Sequence, residues 1–143
     1  MRIIHHMKSA VIVMGAITAA LLLAQQAIAQ AVEHHGAIAH SDAPGHWGHA
    51  FVGDQPTEHD ATQSAVANCQ VNVGTGNNCH VVLHWHNACG AYAESGNKFH
   101  GAGTGATLDA AKKAALDHCV DNGGNAPGAK DSACTIRDSG CSQ

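Results

Sequence analysis

The chain has 143 residues, and its seven basic and eleven acidic side chains give a formal charge of −4 with the thirteen histidines neutral. This balance offers no basic patch and argues against nucleic-acid binding. Leu, Ile, Val and Phe number only fifteen in the last 114 residues, below the ~20% at which a chain often fails to build a core unaided. We therefore expect a small domain that needs covalent support.

The first 29 residues have the pattern of a secretory signal peptide cleaved after Ala29. Arg2 and Lys8 precede an apolar stretch at 10–24, and small residues occupy 27–29. A membrane anchor is the alternative, but the stretch is shorter than the roughly 20 residues that span a bilayer. Cleavage would leave eleven histidines and a charge of −6. We expect a secreted or periplasmic protein with no membrane span after cleavage.

Residues 30–143 are predicted to form a single domain with two pseudo-repeats, 36–89 and 90–141. The motif Gly-Ala-x-Ala begins at Gly36 and again at Gly90, and twelve positions separate Thr57 from Cys69 and Thr107 from Cys119. Alternating and short apolar segments predict strands at 36–40, 46–52, 79–85, 90–93, 98–103 and 133–137. The fold class is therefore α+β, built from a duplicated β-β-α-β unit.

Two helices are predicted, from Thr57 to Cys69 and from Thr107 to Val120. Thr57 is the expected N-cap, with Asp60 in the capping-box position. Ala61, Ala65 and Cys69 form the buried stripe of the first helix. Gly, Asn and Pro predict loops at 74–78 and 121–130, of which the second is longer and is expected to be the more mobile.

Six cysteines in an exported chain predict three disulfides. Fifteen pairings are formally possible, but equivalent cysteines of two repeats should make equivalent bonds. We predict Cys69–Cys79 and Cys119–Cys134, each joining a helix end to the next strand, and Cys89–Cys141 joining the two halves. Because all six are assigned to disulfides, none is expected to act as a nucleophile or a metal ligand.

The order of motifs resembles a bacterial family of exported proteins known as domain of unknown function 4189. The matching residues are Gly36-Ala37-Ile38-Ala39, Cys69, Cys79-His80-Val81-Val82, Asn87-Ala88-Cys89-Gly90-Ala91, Cys119, Cys134 and Cys141. The resemblance implies small proteins of the envelope or of host-facing settings, without established catalytic residues. The family tends to place aromatic residues where this chain has His35, His40, His46, His49, His84 and His86.

The histidines suggest a transition-metal site. His84 and His86 are two apart on a predicted strand, about 6.6 Å along it, and His80 is expected to share their face. His46, His49 or His100 on neighbouring strands would complete the shell. Neutral imidazole suits zinc, copper or nickel. The alternative is that histidines replace aromatic rings on a half-exposed sheet, since His34, His35, His59 and His118 have no ligand spacing.

Histidines also suggest a surface whose charge responds to pH, because unperturbed imidazole titrates near pH 6.5. Trp85 shares the parity of Leu83 and is expected to be buried, whereas Trp47 with Phe51 is the candidate partner-binding patch. Gly101, Gly103 and Gly105 fit no nucleotide-binding fingerprint and are expected to allow close strand packing or a bulge.

Our first functional hypothesis is a non-enzymatic exported module that binds a protein or a cell-envelope component and has no cofactor. The alternative is a periplasmic protein that binds zinc, copper or nickel through its histidines. Converging exposed imidazoles would favour the alternative, and a contiguous patch around Trp47 and Phe51 would favour the first hypothesis.

Overall fold

The computed structural model describes residues 33–125 and 133–143. Six strands and two helices form one unit that spans Glu33–Gln143. In chain order the elements are β1 (His35–Ser41), β2 (Gly48–Gln55), α1 (Glu58–Val73), β3 (His80–His86), β4 (Ala88–Glu94), β5 (His100–Gly105), α2 (Leu108–Asp121) and β6 (Thr135–Ser142).

The strands form two three-stranded antiparallel sheets, with the orders β2-β1-β3 and β5-β4-β6. Helix α1 packs on the first sheet and α2 on the second. A third apolar cluster lies between the sheets and is built around Ile38, Trp85 and Tyr92. The expected α+β class is confirmed, in a layered arrangement of helix, sheet, sheet and helix.

Both helices begin at the predicted N-cap threonines. The hydroxyl oxygen of Thr57 accepts the backbone N–H of Asp60, and that of Thr107 accepts the N–H of Ala110. Such caps satisfy backbone donors that the first helical turn leaves without partners. Helix α1 extends to Val73, four residues beyond the predicted end, because Val73 continues the stripe of buried residues.

Small residues let the helices approach the sheets closely. Ala61, Ala65 and Cys69 of α1 pack against alanines of β1 and β2. A Cβ atom added at Gly101 or Gly103 of β5 would collide with the backbone of α2. These glycines therefore serve close packing of strand and helix, and the pairing of β5 with β4 contains no bulge.

Trp85 fills the space between the sheets. Its ring lies against both Gly36 of β1 and Gly90 of β4, and a Cβ atom at either glycine would overlap it. Trp85 is buried, as predicted from its parity with Leu83. The first glycine of each Gly-Ala-x-Ala motif is thus required by one indole ring.

The three disulfides have the predicted pairing: Cys69–Cys79, Cys119–Cys134 and Cys89–Cys141. The first two join the C-terminal parts of α1 and α2 to the residues that precede β3 and β6. The expectation that Cys89–Cys141 joins the halves is wrong. Cys89 lies in β4, directly opposite Cys141 of β6, so this disulfide lies within the second sheet.

Strands β2 and β6 extend beyond their predicted ends, because Gln55 pairs with His35 and Ser142 pairs with Ala88. The predicted signal peptide and the part of the 121–130 loop beyond residue 125 lie outside the described residues. In the described part of the chain, no helix combines the length and the apolar character needed to cross a membrane.

Candidate functional site

The predicted histidine face of β3 is interrupted by a bulge. Ile38 pairs with Leu83 but Ala39 pairs with Val81, so Val82 is an extra residue in β3. One extra residue reverses the alternation of faces on one side of a bulge. The expectation that His80 shares a face with His84 and His86 is therefore wrong.

His80 pairs with His40 and lies on the same face of the sheet as His40; the His80 side chain is exposed, and the two rings meet edge to face at 6.3 Å. His84 lies on the opposite face, where its Nε2 is 3.6 Å from Glu58 Oε1 at the start of α1. His86 lies at the end of β3, opposite His35 of β1. The three predicted ligands on β3, which are His80, His84 and His86, therefore have different neighbours.

His86 belongs to a group with His35 and Glu33. One carboxylate joins the two imidazoles: Glu33 Oε2 is 3.5 Å from His35 Nε2, and Glu33 Oε1 is 3.6 Å from His86 Nε2. The rings stack with centroids 4.9 Å apart. Within 33–125 and 133–143, this is the one group of at least three His, Cys, Asp or Glu residues whose ligand atoms all lie within 4.8 Å of one another.

Asn87 sets the orientation of His86. Its Oδ1 accepts the backbone N–H of His34 at 3.0 Å, so its Nδ2 points to His86 Nε2, also at 3.0 Å. An amide N–H donates, hence His86 Nε2 presents its lone pair. The unprotonated nitrogen is the form that binds a metal ion.

His46, His49 and His100 lie away from this group. His46 Nδ1 is 3.0 Å from the carbonyl oxygen of Val73 at the end of α1. His49 stacks on Tyr92 with ring centroids 4.4 Å apart, and His100 packs on His40 at 4.0 Å. These residues are therefore not brought together with His84 and His86.

The rings between the sheets form a second cluster, which we call the inter-sheet cluster and which consists of His40, His49, Tyr92 and His100. Tyr92 Oη and His40 Nδ1 are hydrogen-bonded at 2.7 Å, and both residues are fully buried. His40 Nε2 has no hydrogen-bond partner among the described residues.

Burial governs the protonation of the inter-sheet cluster. Loss of hydration lowers the pKa of His40 to about 4, with the neighbouring His100 adding to the effect. Burial likewise lowers the pKa of His49 and of His100, and it raises the pKa of Tyr92. At neutral pH this cluster is therefore uncharged.

Trp47 and Phe51 contact different neighbours. Trp47 is 38% exposed and lies 6.0 Å from the ring of His40. Phe51 is half-buried, packs on Trp85 at 5.1 Å and contributes to the cluster between the sheets. Trp47 instead shares the wall of a cleft with Phe99.

Comparison with known families gives a match over nearly all of the described residues. The model of the family described as "Domain of unknown function (DUF4189)" matches residues 35–141. The chain belongs to the DUF4189 family. No curated protein and no solved structure matched it.

Residues 35–141 of this DUF4189 member contain two of the three converging groups, His35 and His86, whereas Glu33 lies just before the matched segment. Sequence reasoning missed His35 and Glu33, because His35 is 51 positions from His86. The alternation of faces along β1 could have indicated His35, because His35 lies two residues before Ala37 and therefore on the same face of the strand.

Proposed function

We propose that this DUF4189 domain is an exported, non-catalytic module that binds a divalent transition metal through Glu33, His35 and His86. The observation that supports the proposal is the position of the Glu33 carboxylate, with one oxygen next to each imidazole Nε2. The two imidazoles converge on this carboxylate, with the His86 side chain 47% exposed and the His35 side chain 13% exposed.

The spacing suits a tetrahedral ion. With metal–ligand bonds of about 2.0–2.1 Å, two ligand atoms of a tetrahedron are separated by about 3.3–3.4 Å. His35 Nε2 is 3.5 Å from Glu33 Oε2 and His86 Nε2 is 3.6 Å from Glu33 Oε1, so each separation is close to that value, although the two involve different oxygens of the carboxylate. Small rotations of Glu33 and His86, which are 60% and 47% exposed, would complete the approach to His35, which is 13% exposed.

The negative charge next to His86 Nε2 also favours the binding of a cation. Glu33 brings a negative charge next to His86 Nε2, whose lone pair accepts from Asn87. A carboxylate beside a lone pair is repulsive unless a proton or a metal ion lies between them. When a metal binds, it replaces the Asn87 amide as the partner of this nitrogen.

The donor set favours zinc, with copper and nickel as competitors. Imidazole is a ligand that suits these three ions, and zinc also accepts a carboxylate oxygen. Three protein ligands leave the fourth position of a tetrahedron for water or for a group of a partner. His84, on the same strand, pairs with Glu58 instead and serves as an internal control.

The remaining parts of the proposal rest on the sequence and on the covalent structure. The three disulfides fit an oxidising compartment, which supports secretion or a periplasmic location after signal cleavage. The helices follow the second strand of each sheet in the same order, which supports a duplicated β-β-α-β unit. Binding of a protein or envelope partner is the second candidate function, because Trp47 is exposed.

The test is a calorimetric zinc titration of the untagged, oxidised protein purified from a periplasmic expression host. We expect one saturable zinc site per chain, lost in His86→Ala and in His35→Ala and weakened in Glu33→Gln. The matched control His84→Ala should bind as the unmodified protein does. Absence of saturable binding, or equal loss in His84→Ala and His86→Ala, would contradict the proposal.

A further inference from the structure

A second candidate site is a cleft of about 340 Å³ at the other end of β1. The connection between β1 and β2 forms one wall and the turn between β4 and β5 forms the other. The residues that matter for its chemistry are Asp42, Trp47, Lys98, Phe99 and His100. None of them belongs to the proposed metal site.

Two aromatic rings line the cleft and remain accessible. Trp47 is 38% and Phe99 40% exposed, whereas Trp85 and Tyr92 are buried. In a chain with five aromatic residues of the Phe, Trp and Tyr types, two lie on one cleft with part of their surface in water. Accessible rings on a cleft are typical of a ligand site.

The charged side chains that line the cleft are Asp42 and Lys98, and together with Glu94, the ion-pair partner of Lys98, they carry a net charge of −1. Asp42 has no cationic partner in the described part of the chain, whose ion pairs involve other carboxylates. Lys98 is held by Glu94, with Nζ 3.1 Å from Oε1, and that carboxylate is nearly buried. Burial lowers the pKa of His100, so this ring adds no positive charge at neutral pH.

We propose that this cleft binds an organic ammonium group, with Trp47 and Phe99 facing the cation and Asp42 supplying the counter-charge. The negative faces of aromatic rings attract cations, and indole is the strongest of them. An anionic ligand would meet Asp42, because Lys98 is already engaged by Glu94. The ammonium group has two natural sources, a choline-type headgroup and a lysine side chain.

Tryptophan fluorescence of the oxidised protein reports on the cleft directly. Trp47 is accessible whereas Trp85 is 4% exposed, so a change in iodide quenching reports on Trp47. The probes are choline and N-acetyl-lysine methylamide, with 3,3-dimethyl-1-butanol as the neutral isostere of choline. N-acetylglucosamine tests for a neutral sugar. The zinc site does not enter this experiment if a chelator is present throughout.

We expect saturable protection of Trp47 by at least one ammonium probe and none by the neutral isostere. The tighter of the two ammonium probes identifies the source of the natural group. Asp42→Asn should raise the dissociation constant by about fivefold, as loss of roughly 1 kcal/mol of attraction implies. Asp121→Asn, an exposed carboxylate at the end of α2, is the matched control and should change nothing.

Asp42→Asn replaces an exposed carboxylate by an amide of the same shape and should preserve the fold, which circular dichroism checks. Phe99→Leu is the second variant and should weaken binding while Trp47 remains as the reporter. An equal response to choline and its neutral isostere, a response to N-acetylglucosamine alone, or no saturable response would overturn the proposal.

Discussion

Tyr92 of the second sheet and His40 of the first are hydrogen-bonded through Oη and Nδ1 at 2.7 Å in a fully buried position. The His49 ring packs on Tyr92, and the His100 ring packs on His40. Packing of the two sheets at this end therefore depends on neutral imidazoles rather than on aliphatic side chains. This arrangement links the stability of the domain to pH.

We predict that the domain loses stability as the pH falls from 6.5 to 4. A histidine whose folded pKa is below its unfolded value stabilises the fold fully above the unfolded pKa, near 6.5, and loses this contribution as the pH approaches the folded pKa. For His40 the folded value is about 4, so its share of the loss is as much as roughly 3 kcal/mol. His49 and His100 shift in the same direction. Urea unfolding midpoints at pH 7.5, 6.0 and 5.0 measure the effect.

The charged neighbours of the inter-sheet cluster moderate this loss. Glu94 and Asp42 raise the pKa of His40, while His80 lowers it; Asp138 opposes the shift of His49. His40→Gln should flatten the pH dependence, and His59→Gln, on the exposed surface of α1, should leave it unchanged. Equal midpoints at pH 7.5 and 5.0 would show that the cluster does not titrate as described.

Substitution of Gly90 by Ala should destabilise the domain by about 1–3 kcal/mol or more, because the added methyl group would overlap the ring of Trp85. Gly36→Ala should have a similar effect from the opposite side of the ring. Gly53→Ala is the matched control in β2, since its Cβ would meet Ser142 at an ordinary 3.4 Å. Thermal unfolding of the three variants checks the order, and a Gly53→Ala loss equal to the other two would argue against it.

Ser142 should contribute to the stability of the domain, although it lies near the end of the chain. Its buried hydroxyl accepts the N–H of Trp85 Nε1 at 3.2 Å and the backbone N–H of Asp54 at 3.1 Å. Ser142→Ala would leave both donors without this partner, at a cost of about 1–3 kcal/mol for each one left unsatisfied. We expect a lower urea midpoint for Ser142→Ala than for the control Ser139→Ala. Indistinguishable midpoints would mean that water replaces the hydroxyl at both donors.

Removal of Cys89–Cys141 should be more damaging than removal of Cys69–Cys79. The first disulfide spans 52 residues and the second 10, and the chain-entropy model gives about 4 and about 3 kcal/mol. The two double alanine variants, compared by thermal unfolding, measure the difference. The reverse order would show that packing of the freed residues, and not loop length, controls the loss. Full reduction should unfold the domain, because its supply of large apolar residues is small.

Several elements were predictable from the sequence for local reasons. The helices start at Thr57 and Thr107 because a threonine caps the first turn and small residues then recur with helical spacing. The disulfide pairing followed from the repeated spacing of the cysteines. Burial of Trp85 followed from its parity in β3.

The candidate sites were less predictable, since they depend on register. The bulge at Val82 moves His80 to the opposite face of β3, and no residue in the segment indicates that a bulge is present. His35 reaches His86 only because β1 and β3 are neighbours in the sheet. The cleft forms because the β1–β2 connection lies next to the β4–β5 turn, and no spacing of residues along the chain predicts this contact.

The amino-acid sequence by itself determined the local structure, the family, the disulfide pairing and the α+β class, because these depend on side chains within one element or on a repeated spacing. The tertiary structure alone decided which histidines converge, which sheet holds Cys89 and what surrounds Trp47. Those contacts join residues far apart in the chain, and a single inserted residue in a strand is enough to exchange its two faces.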